Sequence, residues 1–454
     1  MGLGARWTRF RKSAHPGSRG ELRMGLGMAS NVIHYHNVIN LQDRDHLRNN
    51  GSPLVTGGEH VKIVDIRTHI LVDPDYQIGA TSSAQDDFIV EIVTDEGVTG
   101  IGEVDLNPWI ARACVEAPGT HTMGRGLREL LIGQDPLHID DLWNRLYIGS
   151  AMNGRRGAGI HALGALDMAL WDLKGKILGQ PVYALLGGIS QPEVHPYASL
   201  QPDVSSFEAY RDSMVQWAQE AQSLGFRAAK VECTLDGPYR HMGLHESMTR
   251  ATEVLAAVRD SVGSDFTLMV DVQYAFANAQ DCLAVIRDWV DFNLFFIETP
   301  LPSDDLPGYA TLSASQTIPI AAGEWLATRY EFLDLMDQGR VSVVQPDLGR
   351  VGGLSEARRV AQLAADRQCR VVPHVWKTGI SVAASHHFAT ATPNCVYIEF
   401  LPRNLCTSAL RRELVQEEPS IHEGHLGLPQ GPGLGVTLDR SALQHFEAFA
   451  ARIH

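Results

Sequence analysis

The hydrophobic rhythm of the chain changes twice. From residue 61 to 66 apolar and polar residues alternate, as a strand with one buried face requires. Residues 88–94 read as a second strand, Asp95-Glu96-Gly97 as a turn, and residues 98–103 as a third strand, so a small antiparallel sheet opens the fold. Helical periodicity follows over residues 110–117, 127–132 and 140–147. The run 157–178 is small or apolar on almost every side, which predicts a long buried helix stopped by Gly179 and Pro181. Together these elements predict an α+β domain over residues 60–190.

After Leu185-Leu186-Gly187-Gly188 the pattern becomes strand, loop, helix, repeated. The strand candidates are residues 195–199, 228–232, 267–272, 294–298, 318–322, 341–345, 370–372 and 396–400. Strands alternating with helices imply βαβ units and a parallel sheet, and eight of them imply a closed (β/α)₈-type barrel over residues 191–401. The alternative is a doubly wound open sheet, which lacks support because no G-x-G-x-x-G follows any strand. The tail, 402–454, holds a Gly/Pro-rich strand-like stretch at 428–438 and is expected to return to the first domain. The fold class is thus α/β, a C-terminal barrel with an N-terminal α+β capping domain.

Composition excludes several classes. The 454 residues are 44% hydrophobic and 20% charged, which is ordinary globular usage and rules out a disordered, collagen-like or coiled-coil chain. There are 38 Lys and Arg against 53 Asp and Glu, a net charge of −15, which argues against a nucleic-acid surface. No run of about 18 apolar residues suggests a membrane span. The six cysteines form no C-x-x-C pair, which suggests neither a thiolate zinc site nor a disulfide framework and makes a cytoplasmic setting the simplest expectation. Residues 1–59 differ from the rest. Arg6, Arg9, Arg11, Lys12, Arg19 and Arg23 face only Glu21 within the first 23 residues, and there is no apolar core of a secretory signal. This segment is read as an over-long start or a disordered extension, with Met24 and Met28 as alternative starts.

The chemistry lies where ionisable residues end the barrel strands. Asp271, Glu298, Glu324, Asp347, His374 and Glu399 follow one another at intervals of 27, 26, 23, 27 and 25 residues, about one βα unit each. Each therefore sits at the C-terminal end of a successive strand, the face where barrel enzymes gather catalytic groups. A single acid there is usually a helix cap or an ion-pair partner. Six in register form a convergent ring whose charge needs a cation. Asp271, Glu298 and Glu324 make an all-oxygen set that suits Mg²⁺ better than Zn²⁺, with positions left for a substrate carboxylate. Asp347 can fix the tautomer of His374 and raise its basicity, while Lys230 ends the second strand and points into the same mouth. Such parts serve abstraction of a proton alpha to a carboxylate.

These residues resemble the enolase superfamily, mandelate racemase / muconate lactonizing enzyme subgroup, over about residues 60–440. The resemblance is carried by Leu163-Gly164-Ala165-Leu166-Asp167 and Trp171-Asp172-Leu173-Lys174-Gly175, by Val270-Asp271, Ile297-Glu298-Thr299-Pro300, Gly323-Glu324, Gln345-Pro346-Asp347 with Gly352-Gly353, and by Pro373-His374. It implies Asp271, Glu298 and Glu324 as Mg²⁺ ligands, Asp347 and His374 as the basic dyad, Glu399 as the acid that hydrogen-bonds the substrate carboxylate, and residues 73–83 as the capping loop that closes the site. Two departures matter. Where the family often has K-x-K, Lys230-Val231-Glu232 puts Glu232 in the second place, and Gln273 stands where Asn is common. Without a second Lys, two-base racemisation is disfavoured, whereas β-elimination needs one base, His374, and an acid for the leaving group. That acid is protonated His374 or Glu232, unless Glu232 merely pairs with Lys230. Residues 373–379 resemble sugar-acid dehydratases and cycloisomerases, with Arg329, Trp376 and Lys377 expected at the mouth as substrate contacts. The expected activity is Mg²⁺-dependent dehydration of an aldonic or aldaric acid to a 2-keto-3-deoxy acid. The alternatives are cycloisomerisation of a lactone or anhydro-sugar acid and a non-catalytic homologue. The expected partners are a small carboxylate substrate and further copies of the chain, with no nucleic acid and no membrane.

Overall fold

The computed structural model describes residues 61–453 except Asp203, so the expectations for residues 1–59 lie outside the described residues. Three antiparallel strands come first, β1 (Ile63–Val72), β2 (Asp86–Thr94) and β3 (Thr99–Val104), in that spatial order. Five helices follow, α1 (Pro108–Glu116), α2 (Leu127–Leu131), α3 (Ile139–Gly149), α4 (Ala158–Leu178) and α5 (Val182–Leu186). Helix α1 starts where the Asn107 side chain accepts from Ile110 N and Pro108 needs no donor partner.

The long helix α4 is the joint of the molecule. It lies so close to β3 that a Cβ on Gly102 would meet Ala165 O and one on Gly100 would meet Ala169 O, so only glycine fits at both places. Its two buried acids are structural. Asp172 accepts from Ile101 N, Leu434 N and Lys176 Nζ, tying together the first sheet, the helix and the C-terminal segment. Asp167 accepts from the backbone and hydroxyl of Ser355 in a barrel helix, and burial pushes its carboxyl up to about 7.

The second sheet has eight parallel strands: β4 (Pro196–Leu200), β5 (Ala228–Glu232), β6 (Thr267–Asp271), β7 (Leu294–Glu298), β8 (Ile320–Ala322), β9 (Val343–Val344), β10 (Arg370–Val371) and β11 (Ile398–Phe400). Helices α6 (Phe207–Ser223), α7 (Ala251–Val262), α8 (Ala279–Ile286), α9 (Leu306–Ser315), α10 (Thr328–Asp337), α11 (Gly353–Asp366) and α12 (Gly379–Thr390) alternate with them. Neighbours pair in sequence order and β11 returns to β4. Val371 bridges Cys395, and Val396 N donates to Val371 O, so the sheet closes on itself. Several strands are shorter than the hydrophobic pattern predicts, β9 and β10 being two residues each, and β8, β9 and β11 each begin two residues later than expected.

One face of each strand fills the barrel. Tyr197, Ala228, Met269, Phe296, Ala321, Val343 and Val372 form a separate buried layer inside it. Because side chains two residues apart share a face, Met269 is followed by Asp271 and Phe296 by Glu298, and the polar groups lie directly above the apolar layer. The chain ends with α13 (Ala409–Glu413), a hairpin of β12 (Ile421–His422) and β13 (His425–Leu426), and α14 (Arg440–Ala450). Helix α14 reaches the first sheet, where Arg440 donates to both oxygens of Glu91. The stretch 428–438 makes only isolated bridges, Gly433 to Pro181 and Leu438 to Val415, instead of the expected strand. Among the described residues no helix is long and apolar enough to cross a membrane.

Candidate active site

The strand ends converge on a cavity of about 280 Å³ lined by Lys230, Glu232, Asp271, Gln273, Glu324 and His374, with Arg350 and Trp376 beside them and Thr81 and Ser83 of the capping loop above. On β6, Asp271 Oδ1 accepts from Gln273 N (2.8 Å) and Thr299 Oγ1 (2.9 Å). Those bonds need a sharp exit from the strands, and Gln273, Tyr274 and Thr299 all sit at positive φ, 41°, 60° and 44°. Three non-glycine residues in the left-handed region mark strain held at a site.

Lys230 Nζ lies 2.8 Å from Glu298 Oε1, 2.7 Å from Glu399 Oε1 and 3.6 Å from Asp271 Oδ2. Burial opposes its charge, but Glu298 and Glu399 outweigh that and raise its pKa. Glu399 also accepts from Ser199 Oγ (2.7 Å) and Val375 N (2.8 Å). Burial would raise its carboxyl, yet Lys230 and His374 bring it below the ordinary value.

On the other flank, His374 Nδ1 is 2.7 Å from Asp347 Oδ2, and Nε2 is 3.1 Å from Glu324 Oε2. Asp347 is itself fixed by Gly349 N (2.7 Å). Burial works against charge on the imidazole, but Glu399, the bond to Asp347 and Glu324 prevail and raise His374 to about 9. Glu324 accepts from Tyr274 Oη (2.8 Å) and lies 3.7 Å from the Arg350 guanidinium. Arg350 also pairs with Asp105, which reaches in from the end of the first sheet.

Glu232 does not pair with Lys230. Both of its oxygens take bonds from Gln201 Nε2 at 2.6 Å, and Thr234 Oγ1 donates at 3.1 Å. Burial, then the charge of Asp271, pushes its carboxyl up to about 8, so it carries a proton at neutral pH. Gln273 lines the cavity with its side-chain oxygen buried and unbonded. Trp376 lines it too and donates from Nε1 to Ser82 Oγ (2.9 Å) in the capping loop.

Two expected contacts lie elsewhere. Arg329 lies in the first turn of α10, where its backbone N donates to Glu356 and its guanidinium sits 3.5 Å from the same carboxylate, beside the Trp143 ring and outside the cavity lining. Lys377 is buried under the capping loop, bonded to Ser83 O, Asp86 and Asp105, with no donor facing the mouth. Conversely, Arg350, Asp105, Gln201, Ser199 and Tyr274 were not expected from the sequence. The one signal for Arg350 is arithmetic, since a ring of acids needs more cations than Lys230 alone.

Among the described residues Asp105, Asp347 and His374 bring ligand atoms within 4.8 Å of one another. Their charges are already answered by Arg350, Lys377 and the imidazole. The unpartnered oxygen lies two strands beyond β9, on β7. Glu298 Oε2 is buried without any partner, and burial raises the carboxyls of Glu298 and Asp271 above their ordinary values. An all-oxygen donor set with an orphaned carboxylate oxygen fits a hard divalent cation.

Comparison with known proteins agrees with this geometry. Residues 61–187 match the family model "Mandelate racemase / muconate lactonizing enzyme, N-terminal domain", and residues 213–442 match "Enolase C-terminal domain-like". The chain is 31% identical to D-galactarolactone cycloisomerase of Agrobacterium fabrum over 395 residues, 85% of this chain and 99% of that protein. It is 31% identical to arabinonate dehydratase of Saccharolobus solfataricus, covering 79% of this chain and 89% of the relative. The crystal structure of 3,6-anhydro-D-galactonate cycloisomerase from Zobellia galactanivorans superposes with a TM-score of 0.73 at 29% identity, covering 85% of this chain and 99% of that one. Barrel, capping sheet and sequence together make this chain a member of the enolase superfamily, in its mandelate racemase / muconate lactonizing enzyme subgroup.

Proposed function

We propose that the protein catalyses Mg²⁺-dependent β-elimination from a sugar acid, removing water from an aldonic or aldaric acid to give a 2-keto-3-deoxy acid. The observation that carries this is the placement of His374 Nε2 3.1 Å from Glu324, with Asp347 fixed on Nδ1. Asp271, Glu298 and Glu324 would hold the ion, whose charge would stabilise the substrate carboxylate as it becomes an enediolate. His374 in its neutral form takes the α-proton through Nε2, while Asp347 keeps the other proton on Nδ1. Lys230 is held by Glu298 and Glu399 at the opposite side, a fixed positive charge where negative charge develops. The leaving hydroxyl needs a proton. It comes from His374 after abstraction if both events share a face, or from Glu232, which is protonated at neutral pH, if they do not.

A second reading has specific support in the two cycloisomerase relatives. When the β-oxygen belongs to a ring, the same elimination opens the ring and loses no atoms. Purified protein with Mg²⁺ and a panel of aldonic, aldaric and anhydro-sugar acids tests both. A 2-keto product lighter by one water supports dehydration, and one of unchanged mass supports cycloisomerisation. No product and no α-proton exchange from any acid would overturn both.

A further inference from the structure

The cavity has one flank that carries the chemistry and another whose character that chemistry leaves unexplained. Tyr239, Tyr274 and Trp325 line its outer side. The rings of Tyr274 and Trp325 stack at 4.2 Å and 26°, and Tyr239 meets both edge-on, at 5.8 Å and 5.2 Å. Tyr274 is buried and pinned through its hydroxyl to Glu324, but Trp325 and Tyr239 are 41% and 43% exposed. Large aromatic surface left open beside a buried ionic centre costs solvation unless a ligand covers it. The capping loop stops short of covering it, touching this wall at the Tyr239 carbonyl through Thr81 Oγ1 (3.4 Å).

The charges around the wall point the same way. Among the described residues the lysine and arginine of this cavity are Lys230 and Arg350, the first committed to three carboxylates and the second to two. Lys377 is likewise held by Asp86 and Asp105. A smaller cavity of about 150 Å³ adjoins through Thr81 and through Gln201, the partner of Glu232. Among the described residues it is lined by Asp73 and Asp75 and by no lysine or arginine. Arg240 follows Tyr239 but is exposed and lines neither cavity.

We propose that the part of the substrate remote from its reacting carboxylate is uncharged and lays a C–H face on the wall of Trp325, Tyr274 and Tyr239, so that the site takes sugar acids with one ionised carboxylate and discriminates against their dicarboxylate counterparts. The negative face of an indole or phenol ring attracts the weakly positive C–H groups on one side of a sugar chain or ring. A second carboxylate there would meet Asp73 and Asp75 with no lysine or arginine among the described residues to pair it. The inference rests on the proposed reaction for its substrate class and narrows it.

The test uses the full chain with Mg²⁺ and matched pairs, D-gluconate against D-glucarate and D-galactonate against galactarate, with 3,6-anhydro-D-galactonate as a ring-closed monoanion. Deuterium exchange at the α-carbon and 2-keto formation are read for each, and binding by calorimetry. At least one monoanion is expected to react or bind about 100-fold better than its dicarboxylate partner or than both dicarboxylates. Equal or better use of the dicarboxylates overturns the proposal. If no acid exchanges, the proposed reaction fails, and the order of affinities still decides this inference. Tyr239→Ala and Trp325→Ala are expected to raise KM for the preferred monoanion about tenfold with a smaller change in kcat. Trp325→Arg is expected to shrink the preference over dicarboxylates by about tenfold or more. Unchanged KM in both alanine variants, in proteins with wild-type melting profiles, would also overturn it.

Discussion

The two flanks of the barrel mouth solve opposite problems with similar residues. On one, β9 and β10 bring Asp347 and His374 together, and a second carboxylate, Glu324, faces the free nitrogen of the ring. On the other, β5 supplies Lys230 and Glu232 only two residues apart, yet they form no ion pair. Lys230 turns to Glu298 and Glu399, and Glu232 is wrapped by Gln201 and Thr234. In the proposed reaction the first flank is the polarised pair that moves a proton. The second is a locked cation beside a neutralised acid. Under the proposed function a charged residue at a strand end thus becomes a base, an anchor or a proton reserve according to the partner that reaches it.

Removing the ion strikes both flanks and has the largest expected effect. Chelation, or Glu298→Gln at the residue with the orphaned oxygen, is expected to abolish α-proton exchange, and for the chelated protein added Mg²⁺ should restore it. His374→Asn comes next. It should lower exchange about 10²- to 10⁴-fold while Mg²⁺ binding, followed by calorimetry, persists. Glu232→Gln should cost less than about tenfold in exchange, because the proton is removed from the other side. If the two losses were equal, the asymmetry of the flanks would be wrong.

Two smaller effects sharpen the contrast through pH. Without an ion His374 titrates near 9, held up in part by Glu324. A divalent cation on Glu324 removes that support, so Mg²⁺ should lower the His374 pKa by about one unit or more, read by NMR of the imidazole. Glu232 behaves differently. Its folded pKa, about 8, lies above the ordinary 4.5, so the folded chain binds the extra proton between those values and stability falls as pH rises through that window. Glu232→Gln should make the loss of melting temperature from pH 5 to pH 8.5 shallower by a few degrees.

Much of this was legible in the chain itself. The spacing of Asp271, Glu298, Glu324, Asp347, His374 and Glu399 follows from the repeat of βα units, so periodicity alone puts them on one face. The Gly100 and Gly102 pair and the acids Asp167 and Asp172 stand out in the sequence, but their reasons are contacts with Ala165, Ala169, Ser355 and Leu434 that no local pattern encodes. The same holds for Arg350, whose importance comes from Asp105, 245 residues away. Arg329 misleads because position near a strand end fixes the backbone and leaves the side chain free to follow Glu356 on the outer helix layer. Lys377 misleads because the capping loop, which binds it, is remote in sequence.

The central claim is that one imidazole, beside a magnesium held by three carboxylates, removes the α-proton of a sugar acid. Exchange of that proton in deuterated water, followed by NMR for the wild type and for His374→Asn with Mg²⁺ present, tests it most directly. The account predicts Mg²⁺-dependent exchange with at least one aldonic, aldaric or anhydro-sugar acid, falling about 10²-fold or more in the variant. Exchange that survives in His374→Asn, or that needs no divalent ion, would contradict it.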